Sequence, residues 1–145
     1  MSKGQRAATG LAVSRYRVYW EDTDAGGVVY HSRYLNFMER ARSDWLLALG
    51  FPQVDLRERQ GCLFVVTSVA IRFLAPARLE DELAVSVGVE ALRAASMVMM
   101  QQIRRHDGEL LAEGQVSIAC LAAPTFRPMR IPQGLRAAIV EFQGN

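Results

Sequence analysis

Histidine is scarce in this chain: His31 and His106 are the only two, which excludes a multi-histidine metal site. Cysteine is equally scarce. Cys62 and Cys120 lie far apart inside apolar runs, with no C-x-x-C or metal-ligand spacing. They read as buried free thiols of a reducing cytoplasm. Long apolar runs are missing too. Stretches such as residues 118–123 fall far below the roughly 20 residues that a membrane span needs. The opening MSKGQRAATG is basic but leads into no apolar segment, so no signal peptide is expected. No single sign of charge dominates: 17 Lys+Arg against 15 Asp+Glu leave +2. Without a basic block, that balance argues against a nucleic-acid binder.

What is present is the composition of a single folded domain. Hydrophobic residues make up 50% and charged residues 22% of 145. A chain of this length buries roughly 68–70% of its unfolded surface. We expect one domain over residues 1–145, without repeats or linkers, and with a mobile arm over residues 1–12.

From Val13 the pattern alternates, with Tyr16, Val18 and Trp20 on one face and Arg15, Arg17 and Tyr19 on the other, which predicts a strand. It stops at the Asp- and Gly-rich loop of residues 21–27. After His31 the period becomes helical. Tyr34, Met38, Ala41, Trp45 and Leu49 form a stripe widened by Phe37 and Leu46, and Gly50 with Pro52 ends it. Four strands are predicted beyond. Leu63, Val65, Val69, Ile71 and Phe73 mark the first, up to Pro76. Leu83, Val85, Val87 and Val89 mark the second, residues 97–105 the third and residues 110–120 the fourth. His106-Asp107-Gly108 reads as the hairpin between the last two. A short helix from Gln133 to Phe142 opens with Pro132 in its first turn. The order is an α+β plan. The apolar run Met97, Val98, Met99, Met100 suggests cover from a second copy of the chain.

Glu21, Asp22, Asp24 and His31 form the densest polar patch. Acidic residues before a helix commonly cap it or solvate a loop, and a lone histidine there commonly packs. The alternative is chemical. Gly26 and Gly27 let a ligand approach the backbone, and the following helix start offers unpaired N–H groups that stabilise an oxyanion. A carboxylate on that loop then attacks, or activates water against, a polarised carbonyl. A thioester suits so small a machinery, because a thiolate with a pKa near ~8.5 leaves without a strong acid. The residues alone support acyl transfer at a loop–helix junction and no finer statement.

The stretch V-Y-W-E-D-T-D-A-G-G-V-V-Y-H at residues 18–31 continues into the helix to Arg42. It resembles the 4-hydroxybenzoyl-CoA thioesterase-like hotdog family, and within it the Tol-Pal-associated acyl-CoA thioesterases. F-L-A-P-A-R-L-E-D at residues 73–81 and R-P-M-R-I-P at residues 127–132 extend the resemblance over most of the chain. It implies a five-stranded antiparallel sheet wrapped around a long central helix. It makes Asp24 the catalytic carboxylate, as nucleophile or general base. His31 supplies a backbone N–H toward the carbonyl, with its side chain assisting. The substrate is an acyl-CoA, in contact with Gly26, Gly27, Val28 and Tyr30. Its phosphates face Arg127 and Arg130, with Arg104 or Arg105 as further candidates.

Members often have Tyr where this chain has Trp20, so no hydroxyl is available there. Another subgroup uses a helix Glu without the loop Asp; with Asp24 present, Glu39 reads as a supporting residue. No metal or cofactor is implied, since coenzyme A is part of the substrate. A cytoplasmic homodimer assembling into a homotetramer is implied, with sites at the dimer interface and an acyl-carrier protein as another acyl donor. The alternative function is a non-catalytic acyl-CoA or acyl-carrier-protein binding protein on the same fold. A hotdog dehydratase ranks below both, for want of a separate His–carboxylate pair.

Overall fold

The computed structural model describes residues 5–6 and 10–144. Its strands are β1 (Gln5–Arg6), β2 (Ala12–Arg17), β3 (Cys62–Phe73), β4 (Glu82–Leu92), β5 (Ser96–Arg105) and β6 (Leu110–Ala122). They form one antiparallel sheet in the order β1-β2-β4-β5-β6-β3. Helices α1 (His31–Leu49), α2 (Gln53–Arg59) and α3 (Gln133–Phe142) complete the fold.

The connectivity explains the long helix. The chain leaves the sheet at β2 and re-enters at β3, on the opposite edge. The 19 residues of α1, at about 1.5 Å each, provide a crossing of roughly 28 Å. Its inner stripe is the one read from the sequence: Tyr34, Phe37, Met38, Ala41, Trp45 and Leu46 are buried, and Leu49 is half-buried. Each large side chain in such a stripe contributes about 1.5–3 kcal/mol through burial. Gly50, at φ 93, closes the helix in the left-handed conformation and donates to Leu46 and Leu47. Facing α1 are Leu83, Val85 and Val87 of β4, Met97, Met99 and Ile103 of β5, and Val116, Ile118 and Cys120 of β6, all buried.

Polar side chains also enter this core, Gln101 deepest among the described residues. Gln101 is fully buried, donates to the carbonyls of Met38 (3.0 Å) and Ser86 (3.3 Å), and accepts from Arg42 (2.9 Å). The amide thereby ties α1 to β4 and β5, and its burial costs little because it is bonded. Burial also lowers the Arg42 guanidinium below its usual pKa.

Several expectations need correction. The first long strand ends at Arg17, and Trp20 sits in a 3-10 turn (Trp20–Asp22), 79% exposed, rather than on a strand face with Tyr16 and Val18. Helix α2 was not anticipated. Of the arm expected over residues 1–12, Gln5 and Arg6 pair with Val13 and Ala12, and Gly10 and Ala12 are buried; the rest of it lies outside the described residues. Pro132 is the N-cap of α3, not a residue of its first turn. In β5, Met97 and Met99 belong to the core and only Met100 is exposed. The edge strand β3 carries apolar surface of its own, where Val66, Val69 and Phe73 are 45%, 40% and 50% exposed. A bulge between Val66 and Ser68 breaks the alternation expected there. The hairpin at Asp107-Gly108 and the extent of α3 agree with the sequence.

Candidate active site

The loop between β2 and α1 is a small, heavily bonded structure. Asp22 is buried, and its carboxylate accepts from the Tyr19 amide (2.9 Å). Its carbonyl accepts from the Tyr30 amide (2.9 Å), which joins the two ends of the loop. Thr23 and Val29 form an antiparallel bridge, and inside it Asp24 donates to the Val28 carbonyl (2.9 Å). Gly27 closes the turn onto the Asp24 carbonyl (3.0 Å) with φ 80, a conformation that disfavours side chains with a Cβ. Gly26 donates to Asp24 Oδ1 (2.8 Å), as Asx-turns do. A Cβ on Gly26 would lie only 3.2 Å from that oxygen. The two glycines thus have separate reasons: one for the backbone, one for the carboxylate.

The second wall comes from residues 74–81, between β3 and β4. Val29 donates to Ala77 (2.9 Å), Val28 bridges Arg78, and the Ala77 amide donates to the Tyr34 hydroxyl (3.0 Å). Between the walls lies a cleft of about 400 Å³, lined by Asp24, Val28, Val29, His31, Tyr34 and Phe73 together with Leu74, Ala75 and Pro76. His31 opens α1 and its ring lies 4.3 Å from that of Tyr30. Arg33 donates to the Tyr30 carbonyl (2.8 Å). His31 and Ser32 are the first two helical residues, whose amides have no acceptor within the helix. A second hollow, about 500 Å³, lies on the other side of Asp24 against Trp20, Glu21 and Leu79. The carboxylate therefore stands on a ridge between two open spaces, beside the positive end of a 19-residue helix.

Asp24, Val28 and His31 thus share one cleft, Gly27 lines the second hollow, and Gly26 and Tyr30 line neither. The structure does not bring Arg127 and Arg130 to it within one chain. Both are exposed just beyond β6, at the end where Ala122 pairs with Cys62, whereas the cleft adjoins the end where Ala112 pairs with Phe73. At about 3.3 Å per residue, those ends are some 36 Å apart. Arg104 bonds Gly108 and Gln102, and Arg105 is enclosed by Asp81, Asp107 and Glu109. Arg105 is therefore already neutralised by carboxylates, whereas Arg104 is exposed and bonded only to neutral oxygens.

Glu39 accepts from Ser43 (2.6 Å), which accepts from Gln53 (2.7 Å). All three edge a narrower cleft of about 150 Å³ that runs down to Trp45, Phe64 and Met99. Trp45 has a buried indole N–H without a partner among the described residues. Cys62 and Cys120 are buried and unpaired. Burial pushes both thiols up, Cys120 to about 12 with a further contribution from Cys62, so neither is a nucleophile near neutral pH. Among the described residues, no cluster of His, Cys, Asp or Glu can hold a metal ion, and no helix is long and apolar enough to cross a membrane.

The sequence reads Tyr34 as a core residue and residues 73–76 as the end of a strand, with no part in the site, yet they form half the cleft. Their only signal was their place in the F-L-A-P stretch. Asp22 and Asp24 could not be told apart by composition; burial separates a structural carboxylate from an available one.

A family model described as the thioesterase-like superfamily matches residues 18–139. The acyl-CoA thioesterase YbgC of Haemophilus influenzae is 42% identical over 84% of this chain and 89% of its own length. The 1,4-dihydroxy-2-naphthoyl-CoA hydrolase of Thermosynechococcus vestitus is 33% identical over 83% of this chain and 82% of its own. Among solved structures, a probable thioesterase from Bartonella henselae superposes with a TM-score of 0.80 at 35% identity, covering 84% of this chain and 99% of that one.

Proposed function

The chain belongs to the thioesterase-like superfamily, and from that premise we propose that it hydrolyses an acyl-CoA to the free acid and coenzyme A, with Asp24 as the reacting carboxylate. The observation that carries the reading is that Asp24 and His31, the first residue of α1, line the same cleft. Helix-start amides at His31 and Ser32 stabilise the oxyanion; donors of this kind are worth about 2.7–4 kcal/mol each. Asp24 either attacks the carbonyl carbon, forming an anhydride that water then opens, or takes a proton from the attacking water. The second route contributes roughly 10²–10⁴ in rate. In both, the thiolate of coenzyme A leaves without a dedicated acid. Gly26 holds one carboxylate oxygen by its amide, which leaves the other for the reaction.

The active unit is a homodimer formed through β3, and following the family resemblance it assembles into a homotetramer. A 12-residue edge strand with exposed Val66, Val69 and Phe73 is a template for pairing. Antiparallel pairing about the middle of β3 sets the Phe73 end of one copy beside the Cys62 end of the other. That arrangement brings the Asp24 cleft of one copy to the Glu39–Ser43–Gln53 cleft of the second, which receives the acyl end. It also brings the loop bearing Arg127 and Arg130 within reach of the coenzyme A phosphates. The enzyme works in the cytoplasm, where Cys62 and Cys120 stay reduced. An acyl-carrier protein is the alternative acyl donor.

The test is release of thiol and acid from a panel of short, long and aromatic acyl-CoAs. Equimolar release supports hydrolysis. Tight binding without release would replace it with a binding protein on the same fold.

A further inference from the structure

We infer that Arg105, which lies behind the cleft wall and does not line the cleft, is a positioning residue for the reaction: its guanidinium pins the segment of residues 74–81, which fixes where Asp24 stands. The inference rests on the reading of Asp24 as the reacting carboxylate.

Arg105 ends β5 and begins the hairpin to β6. Its side chain is only 16% exposed and uses all three of its nitrogens. Toward the solvent, Nη1 meets Glu109 and lies 3.7 Å from Asp107. Toward the protein, Nη2 donates to the Pro76 carbonyl (2.7 Å) and Nε to Asp81 Oδ2 (3.2 Å). That same Asp81 oxygen accepts from the Arg78 amide (2.9 Å). It thereby closes a turn containing Glu80 at φ 70, a left-handed conformation that a glutamate holds only when the surroundings enforce it.

The pinned segment touches the catalytic loop at successive residues. Pro76 lines the Asp24 cleft, Ala77 accepts from Val29, Arg78 bridges Val28, and Val28 in turn accepts from Asp24. The Ala77 amide also holds the Tyr34 hydroxyl on α1. One planar fork therefore fixes both the far wall of the cleft and the backbone from which Asp24 projects. A lysine keeps the charge but offers no pair of divergent donors held in one plane. Arg105 itself does not line the cleft.

The two sides of the fork supply an internal control. Glu109→Gln weakens the solvent-side pair but leaves Pro76 and Asp81 bound. Arg105→Lys and Asp81→Asn loosen the segment that leads to Asp24. The experiment compares kcat, KM for an acyl-CoA, Tm, and amide hydrogen exchange at Val29 for the three variants and wild type, well below every Tm. The expected result is a fall in kcat of roughly 10-fold in Arg105→Lys and Asp81→Asn, with KM within about 2-fold and faster exchange at Val29. Glu109→Gln keeps wild-type kcat and exchange. If all three lose Tm alike and kcat stays within 2-fold, Arg105 is a stabilising residue only and the inference is overturned. Asp24→Asn is assayed alongside. If it turns over like wild type, the reading of Asp24 fails, while the Val29 exchange still decides whether Arg105 holds the loop.

Discussion

Replacing Gly26 with alanine probes the carboxylate rather than the fold. Gly26 does not occupy a left-handed φ, so a side chain there brings no backbone strain. Loss of glycine freedom in the unfolded chain even favours the variant by about 0.4–1 kcal/mol. The cost falls on Asp24. The new Cβ would sit 3.2 Å from Oδ1, tighter than an ordinary contact, so the carboxylate must shift by a few tenths of an ångström. A misplacement of about 1 Å can cost roughly 10²-fold in rate, which scales to about 3–10-fold for this shift. Gly27→Ala provides the opposite case. There the Cβ meets nothing within 4 Å, but φ is +80, which costs about 1–2 kcal/mol. For a chain of this size that is a Tm loss of roughly 2–8 °C. Thiol release followed with a chromogenic disulfide gives kcat, and thermal unfolding gives Tm. The expected pattern is lowered kcat with Tm equal to or slightly above wild type for Gly26→Ala, and lowered Tm for Gly27→Ala. Unchanged kcat in Gly26→Ala would refute the assignment of the Gly26–Asp24 contact to catalysis.

Further outcomes follow from other parts of the molecule. Val69→Lys places a charge on the uncovered face of β3, so light scattering should show monomers, with activity falling in step; a dimer of wild-type activity would exclude this edge as the interface. Glu39→Ala should change the preference among acyl groups at least as much as it changes kcat on the best one; an unchanged ranking across the panel would remove the second cleft from the acyl site. The buried thiols make stability fall at alkaline pH. Cys120 is raised to about 12 from an ordinary 9.0, so its contribution is complete below pH 9 and lost as pH rises toward 12. Urea unfolding should therefore weaken over that window by up to about 1.4 kcal/mol per pH unit for each thiol titrating, and Cys120→Ala should flatten the slope. An equal slope in that variant would assign the loss to other groups.

The elements most legible in the sequence were those whose order is local. The stripe of α1, the alternation of β4 and the Asp-Gly hairpin each need only neighbouring residues to be seen. The 3-10 turn at Trp20 escaped because alternation continues through Val18 while the backbone has already left the sheet. Helix α2 buries only Leu56 of its seven residues, which leaves no period to read. The edge position of β3 is a property of topology, and a strand pattern does not state which side lacks a neighbour. The loop of the site was legible as a motif, because Asp24, Gly26, Gly27 and His31 are close in sequence. Its opposite wall was not, since Tyr34 with residues 73–76 reaches Asp24 only through tertiary contacts. The Arg105 fork is more remote still, 81 residues away along the chain.

If Asp24 performs the chemistry, removing its charge while keeping its shape stops the reaction, and Asp24→Asn does only that. Asparagine keeps the shape and can still accept from the Gly26 amide, so the loop stays folded while the charge is lost. Coenzyme A release at saturating acyl-CoA should fall at least about 10²-fold, with Tm close to wild type. Turnover within a few-fold of wild type would contradict the account and move the chemistry away from this carboxylate.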